Sequence, residues 1–367
     1  MMGHLVVRNL FHRPGRTLIG VIAIAVEVML VVVIVGLTSG MLEETAKRIE
    51  GIGADIMLQS PSAQIFLAFS GSPMPIKIAD KLREMKYVKA VAPALLQFNS
   101  SGSIDILYGI DKESFREVSG GLVFLQGHDM EGPDDLLVDD WAAKAKNLKV
   151  GDTYTLLNHK WNVVGIVEHG KGARLFVPIS TLQDLVGARD KASIFLVKCT
   201  RPEHTEDVIE EMKATFPGYP VRPLKDFMTL MTSTNIPALR GFINAMVALA
   251  VSIGLLVIFL TMYTTVLERT KDIGVLKALG AGKGLIVRAL LAETTLLCIL
   301  GIAAGIGLSY IVRAAFLAMF PTLSILITAE WVIRAAIIAL VGAVIGASYP
   351  AWIASRKDPV EALTYEN

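Results

Sequence analysis

The chain has 367 residues, of which 53% are hydrophobic and 19% charged, and its formal net charge is +1. It is therefore apolar for a soluble protein and too nearly neutral to favour nucleic acid as a partner. Its two cysteines and six histidines supply neither a disulfide framework nor the short paired spacings of a metal site.

Residues 1–16 hold Arg8, His12, Arg13 and Arg16 and read as a cytoplasmic, amphipathic start, because Lys and Arg gather on the cytoplasmic side of membrane spans. Residues 17–37 are apolar except for Glu27. About 20 such residues cross a hydrocarbon core, and no small-residue cleavage pattern follows, so a retained span over 17–38 is expected rather than a signal peptide. Glu27 lies about ten residues in, roughly 15 Å deep at 1.5 Å per residue. A carboxylate at that depth is costly in lipid and is expected to face another helix. Its candidate partners are Asn244, Ser252, Thr261 and Tyr263, or a second copy of the chain.

Residues 39–240 form one large domain outside the cytoplasm. Helix-forming residues 39–49, with no breaker after Gly40, extend the first span outward. Residues 226–238, with Phe227, Leu230 and Met231 on one side, lead back as the other half of a stalk. Between them, short alternating strands and amphipathic helices predict a mixed α+β domain. Helices are expected in 75–87 (on Ile78, Leu82 and Met85), at 136–146, at 180–185 with Ser180 as N-cap, and at 203–216. Strands are expected at 88–96, 153–157, 161–167, 175–177, 193–199 and 219–222, with Gly151-Asp152 as a turn. Asp134, Asp135, Asp139 and Asp140 flank a helix start and read as solvated carboxylates favoured by the helix dipole rather than a cation site. Cys199 in this domain is too far from Cys298 in the third span to bond with it.

Spans follow at 241–267 and 285–313. Residues 268–284 between them, with Arg269, Lys271, Lys277 and Lys283 and then Arg288, are too charged for lipid and too basic for the outer side. Ile273, Leu276 and Leu279 recur at helical spacing, with Lys271, Asp272 and Lys277 on other faces. The pattern is an amphipathic helix that Gly280 ends, suited either to dock on a partner or to lie among headgroups. Gly280 to Gly284 only imitates a phosphate loop: Lys277 stands at the first glycine position, Gly284 replaces the hydroxyl, and no strand precedes, so no nucleotide is expected to bind. An outer loop at 314–330, a span at 331–354 and a cytoplasmic tail at 355–367 complete the chain, with Arg313 and Arg334 able to snorkel to headgroups. The expected fold class is a membrane protein of four transmembrane α-helices with a large mixed α+β extracytoplasmic domain inserted between helices 1 and 2, and both termini cytoplasmic.

Glu268-Arg269, Asp272-Ile273-Gly274, Lys277-Ala278-Leu279-Gly280-Ala281 and Glu293 downstream resemble the E-R-x-x-E-I-G-x-x-[KR]-A-[LI]-G-A signature of the MacB/FtsX-type permeases, membrane subunits of mechanotransmitting ABC transporters. Asp272 stands where Glu is usual. Tyr349-Pro350-Ala351, Ala354-Ser355-Arg356 and Asp358-Pro359-Val360-Glu361-Ala362-Leu363 resemble that family's closing motif, and Arg8-Asn9-Leu10 with Arg13 and Arg16-Thr17 its opening one.

The resemblance implies a coupling helix that docks in a groove of a separate ABC ATPase subunit. Glu268, Arg269, Lys271, Asp272, Ile273, Gly274, Lys277, Ala278, Leu279, Gly280 and Ala281 would make up the coupling segment, and Glu293 would be a structural tie to it. ATP and magnesium would sit on the ATPase, leaving this chain a non-catalytic subunit without cofactor. It further implies a second permease copy or paralogue, a periplasmic adaptor or carrier protein, a prokaryotic inner membrane, and export of a peptide, drug, lipid or lipoprotein. Regulation of a cell-wall hydrolase is the rival reading. An outer domain of roughly 200 residues is larger than that role leads one to expect. An intramembrane enzyme would need paired catalytic groups that the spans lack.

Overall fold

Helix α1 (Pro14–Glu50) opens a computed structural model that describes residues 14–61, 72–99, 105–226 and 237–357. Pro14 occupies the first helical position, where its missing N–H costs nothing, and no proline follows to break the run. Near the far end Glu43–Lys47 and Glu44–Arg48 pair at i,i+4, at 2.6 and 3.3 Å, and Lys47 and Arg48 meet the negative end of the helix dipole. The expected outward extension of the first span is thus a continuous helix; its proposed companion at 226–238 lies mostly outside the described residues.

The chain divides into two units, one of Met41–Ile236 with Phe320–Ser324, the other of Met1–Gly40, Pro237–Met319 and Ile325–Asn367. In the first, the elements in order are β1 (Ile56–Gln59), β2 (Met74–Pro75), α2 (Ile78–Arg83), β3 (Val88–Asn99), β4 (Asp105–Ile110), α3 (Lys112–Ser119), β5 (Phe124–Gly127), β6 (Asp135–Asp139), α4 (Asp140–Lys146), β7 (Thr153–Leu156), β8 (His159–Val167), β9 (Leu175–Pro178), α5 (Ile179–Leu185), β10 (Lys191–Ala192), β11 (Ile194–Cys199), α6 (Thr205–Thr215) and β12 (Val221–Pro223). The main sheet runs β12-β1-β11-β3-β4-β9-β6-β8-β5, with β7 also on β8. Its pairs are antiparallel except β4 with β9 and β6 with β8. One apolar core gathers Leu82, Phe195, Val208 and Met212 around α2 and α6, and another gathers Leu136, Trp161, Leu175 and Leu182 around α4 and α5.

The expected helix at 136–146 is half strand. Residues 135–139 are β6, buried throughout, and the helix begins only at Asp140. A short apolar run such as Leu-Leu-Val fits a buried strand as well as a helix, and flanking by β8 and β9 decides it here. Ser180 is not the N-cap of α5; Pro178 holds that position without a side-chain cap bond. The strands expected at 153–157 and 161–167 pair as a hairpin, β7 with β8, and the turn is two residues, Leu157 and Asn158, at φ 55° and 59°, the paired left-handed geometry that matches strand twist. Strands β1, β2, β4, β5 and β10 and helix α3 had no counterpart in the sequence reading.

In the other unit, α7 (Pro237–Glu268), α8 (Thr270–Ala278), α9 (Lys283–Met319) and α10 (Ala329–Arg356) follow. With α1, the three longer ones make four helices, among the described residues, long and apolar enough to cross a membrane. Association in lipid relies on close backbone approach, and small residues supply it. Ala335, Ala339, Ala343, Ala347, Ala351 and Ala354 are buried along one side of α10, which packs on both α7 and α9. On α9, a Cβ at Gly301 would lie 2.6 Å from Ile24 Cβ, and one at Gly305 2.9 Å from Val28 Cβ. Thr265, Thr294 and Ser309 donate their hydroxyls to carbonyls one turn back, at 2.6, 3.1 and 2.8 Å, so each has a partner without water.

Candidate functional site

Helix α8 has two faces of unlike character. Positions 270, 273, 274 and 277 face one way, and 272, 275, 276 and 279 the other, because a shift of two residues turns a helix by about 200° at 3.6 residues per turn. On the first face Thr270, Ile273 and Gly274 are buried. Three polar ties hold it. Arg269 Nη1 donates to Glu293 Oε2 of α9 at 3.0 Å, with the two side chains only 14% and 8% exposed. Lys277 Nζ donates to the Ser355 carbonyl at 3.1 Å and also to the Lys357 carbonyl. A cation thereby satisfies the last carbonyls of α10, where the helix dipole is negative. Lys357 Nζ in turn reaches Thr270 Oγ1 at 3.4 Å.

The second face is uncovered. Leu279 is 80% exposed, and Val275 and Leu276 about as exposed as buried, at 46% and 49%. The predicted apolar face of Ile273, Leu276 and Leu279 is therefore split: Ile273, 7% exposed, belongs to the bundle side, and Val275 takes its place outside. The sequence offers two apolar sets half a turn apart, and only packing selects which is covered. Glu268, Lys271, Asp272, Ala278 and Gly280 are exposed and Ala281 partly so, whereas Arg269, Ile273, Gly274 and Lys277 are at least partly covered. Gly280 does end the helix. Its φ of +96° needs a residue without Cβ, and it lets Gly280 N–H reach the Lys277 carbonyl and Ala281 N–H the Leu276 carbonyl, both at 3.0 Å.

Glu27 is buried, 7% exposed, and its carboxyl group rests against α7 at Gly254, where an added Cβ would overlap Oε2. Among the described residues, the four side chains expected to face it are exposed or engaged elsewhere. Asn244 is exposed, Ser252 Oγ donates to its own Ala248 carbonyl at 2.8 Å, the Thr261 methyl lies opposite Gly20, and the Tyr263 ring stacks at 6.1 Å on Phe259. A backbone notch takes the place of a polar partner. Gly254→Val should expel Glu27 and destabilise the bundle by about 1–3 kcal/mol, the usual cost of overpacking, while Glu27→Ala in the same chain should recover much of the loss. Thermal unfolding in detergent measures both, and native stability in Gly254→Val alone would rule the notch out.

A second charged cluster, partly buried and unforeseen from sequence, lies within the unit that holds the sheet. Arg174, just before β9, donates through Nη2 to Glu44 Oε1 of α1 at 3.2 Å and to the Thr322 carbonyl at 3.0 Å. Its guanidinium stands 5.7 Å from the Trp141 ring centroid, and that ring stacks on His169 at 4.3 Å. Arg48 pairs with the other Glu44 oxygen at 3.3 Å, while its carbonyl accepts from Gly172 N–H at 2.8 Å. Burial pushes the Asp139 carboxyl up to about 6, against the opposing pull of the Ala142 N–H and the Arg174 and Arg48 cations. One guanidinium thus joins the end of α1, the segment 320–324 and the sheet. The only hint in the sequence was the i,i+4 pair Glu44–Arg48; Arg174 sits alone in a glycine-rich loop.

The four aspartates are individually engaged. Asp134 meets His159 Nε2 at 2.8 Å, Asp135 accepts from Glu131 and Gly132 N–H at 2.8 and 2.6 Å, Asp139 caps α4 at Ala142 N–H at 2.6 Å, and Asp140 meets His169 Nδ1 at 2.9 Å. Among the described residues no group of three or more His, Cys, Asp or Glu is arranged to hold a metal ion.

Comparison with known proteins gives the following. The family described as MacB-like periplasmic core domain matches residues 17–215, and that described as FtsX-like permease C-terminal matches residues 244–359. The chain is 27% identical to the macrolide export ATP-binding/permease protein MacB of Sodalis glossinidius, covering 99% of this chain and 60% of the relative. With the protein of that name from Escherichia coli it shares 26% identity over 96% of this chain and 58% of the relative. The chain thus spans about 60% of the length of these curated relatives. Among solved structures, the periplasmic region of MacB from Actinobacillus actinomycetemcomitans aligns with TM-score 0.40 and 19% identity, over 50% of this chain and 95% of that one. The extracellular domain of the ABC-type transporter YknZ from Gram-positive bacteria aligns with TM-score 0.37 and 15% identity, over 46% and 99%.

Proposed function

Because this chain belongs to the MacB/FtsX-type permease family, we propose that it is the membrane subunit of an ABC transporter whose ATPase docks on α8 and whose outer domain acts on the substrate. The observation that carries this reading is the two-faced α8. A helix tied to α9 and α10 on one side, with Val275, Leu276 and Leu279 uncovered on the other, is suited to receive a partner by helix-in-groove docking. ATP and magnesium belong to that partner. The basic flanks of α8 support a cytoplasmic position for it, and with it for both termini, with residues 41–226 outside. The relatives are named for macrolide export; here the substrate class is an exported peptide, drug, lipid or lipoprotein, handled by a dimer of this chain or of it with a paralogue, together with a periplasmic adaptor or carrier.

The spans offer few polar residues for a hydrophilic channel, so movement of the outer domain is the better vehicle. Arg174 supports that route, since it fastens both the end of α1 and the segment 320–324 to the sheet. Each hydrogen bond to a charged group contributes about 1.5–3 kcal/mol. Arg174→Ala should accordingly speed amide exchange in 320–324 at least tenfold, by the factor of ten per 1.4 kcal/mol, with the sheet still protected. It should also lower transport while ATP hydrolysis persists. Exchange at the native rate would remove Arg174 from the route. Co-purification in mild detergent tests the whole reading: an ABC ATPase retained with an adaptor or carrier supports transport, one retained with a cell-wall hydrolase supports regulation, and recovery without any ATPase refutes the docking role.

A further inference from the structure

The side of α10 opposite its alanines is a row of exposed residues, Ile337, Val341, Ile345, Tyr349 and Trp352, at steps of four and finally three, the spacing that stacks side chains along one line of a helix. The row ends in a polar cap. Arg356 is exposed, its guanidinium lies 4.0 Å from the Trp352 ring centroid, and it pairs with no carboxylate among the described residues. Neighbouring rings widen the shelf: Tyr349 lies 6.3 Å from Trp352 and 6.0 Å from Phe259 of α7, which stacks at 6.1 Å on Tyr263.

We propose that this row is a binding site for an anionic phospholipid, with an acyl chain along Ile345 and Tyr349, the glycerol region against the rings, and the phosphate on Arg356. An exposed apolar row on a membrane-spanning helix is covered either by acyl chain or by protein, and three features favour the lipid. From Ile345 to Arg356 is about 16 Å at 1.5 Å per residue, close to half of the roughly 30 Å hydrocarbon core, so this end of the row fits one leaflet. Tyr and Trp gather at the level of the headgroups. The carbonyls of Ser355 and Lys357, which would otherwise repel a phosphate, are already occupied by Lys277 Nζ, leaving the Arg356 charge to act outward. A basic side chain near such a surface favours an anionic over a neutral headgroup by about fivefold.

The test uses the full chain, stripped of lipid in detergent and titrated with phosphatidylglycerol or phosphatidylcholine of the same acyl chains, read by native mass spectrometry and thermal unfolding. Phosphatidylglycerol should bind about fivefold tighter and raise the unfolding temperature more. Arg356→Gln should make the two lipids equal, Trp352→Leu should weaken both, and Arg334→Gln at the other end of α10, where Glu330 already pairs with the arginine at 2.5 Å, should leave the preference intact. Equal binding of the two lipids to the native chain, or a preference that survives in Arg356→Gln, would overturn the proposal. So would a stable dimer that shields Trp352 whichever lipid is present, since a second copy would then occupy the row.

Discussion

A chain carrying Leu279→Asp should fold and insert like the native protein and yet fail to hold its ATPase. Leu279 is 80% exposed, is not part of the apolar core of the helix bundle, and caps α8 at φ −78° and ψ 1°, a conformation aspartate adopts readily. Exposed positions of this kind change stability by no more than about 0.5 kcal/mol. In the docked state the same side chain would be covered. Burying a leucine contributes roughly 1.5–3 kcal/mol, and a desolvated carboxylate in its place adds a penalty, so affinity should fall by about a hundredfold or more. Leu276→Asp should act in the same direction. Gly274, although part of the signature, lies on the bundle side, and a bulky residue there would disturb packing before it disturbed docking. Titration of the ATPase onto the chain in nanodiscs measures the effect; affinity within about threefold of native for Leu279→Asp would end the assignment of this face.

The largest expected loss of stability comes from the buried pair that starts α8. Glu293→Ala leaves the Arg269 guanidinium, 14% exposed, without the carboxylate at 3.0 Å, and removing one member of a buried pair costs about 3–5 kcal/mol. Glu293→Gln keeps an acceptor in place and should lose less. Replacing both, Arg269→Met with Glu293→Leu, removes charge and counter-charge together and should come out near neutral, because such pairs recover little more than their own desolvation. The order expected in denaturant titration is therefore native and double variant alike, Gln below them, and Ala lowest. A double variant as unstable as Glu293→Ala would show that the site depends on something other than the charge balance.

The membrane half of this fold was legible because its signals are long: four apolar runs, cations beside α8, and a glycine where the helix stops. The outer domain was read less well where segments are short. Leu136 to Val138 carries no period that separates strand from helix, and the order of the sheet depends on pairings, such as β4 with β9, between residues far apart in sequence. Within the coupling segment, the signature names the residues but not which side of α8 each one occupies. Arg269 and Lys277 read as surface cations on a docking helix, whereas the fold spends them on Glu293 and on the end of α10. Arg174 was invisible for a similar reason, since its partners Glu44 and Thr322 are 130 and 148 positions away. Glu27 was rightly expected to face a helix, but the matching feature was the absence of a side chain at residue 254, which no search for polar partners would find.

The three ties beneath α8 bear on how an applied force would be divided. A joint with free play wastes part of each stroke, because the handle must travel before the shaft follows. With the ATPase docked on α8 as proposed, that helix would be a handle pinned at its first turn to α9 through Arg269 and at its last to α10 through Lys277, so a pull on Leu279 would be felt by two spans from the first ångström. Cutting either pin should blunt the response in proportion to the slack it introduces, even in a chain whose grip on its partner is untouched.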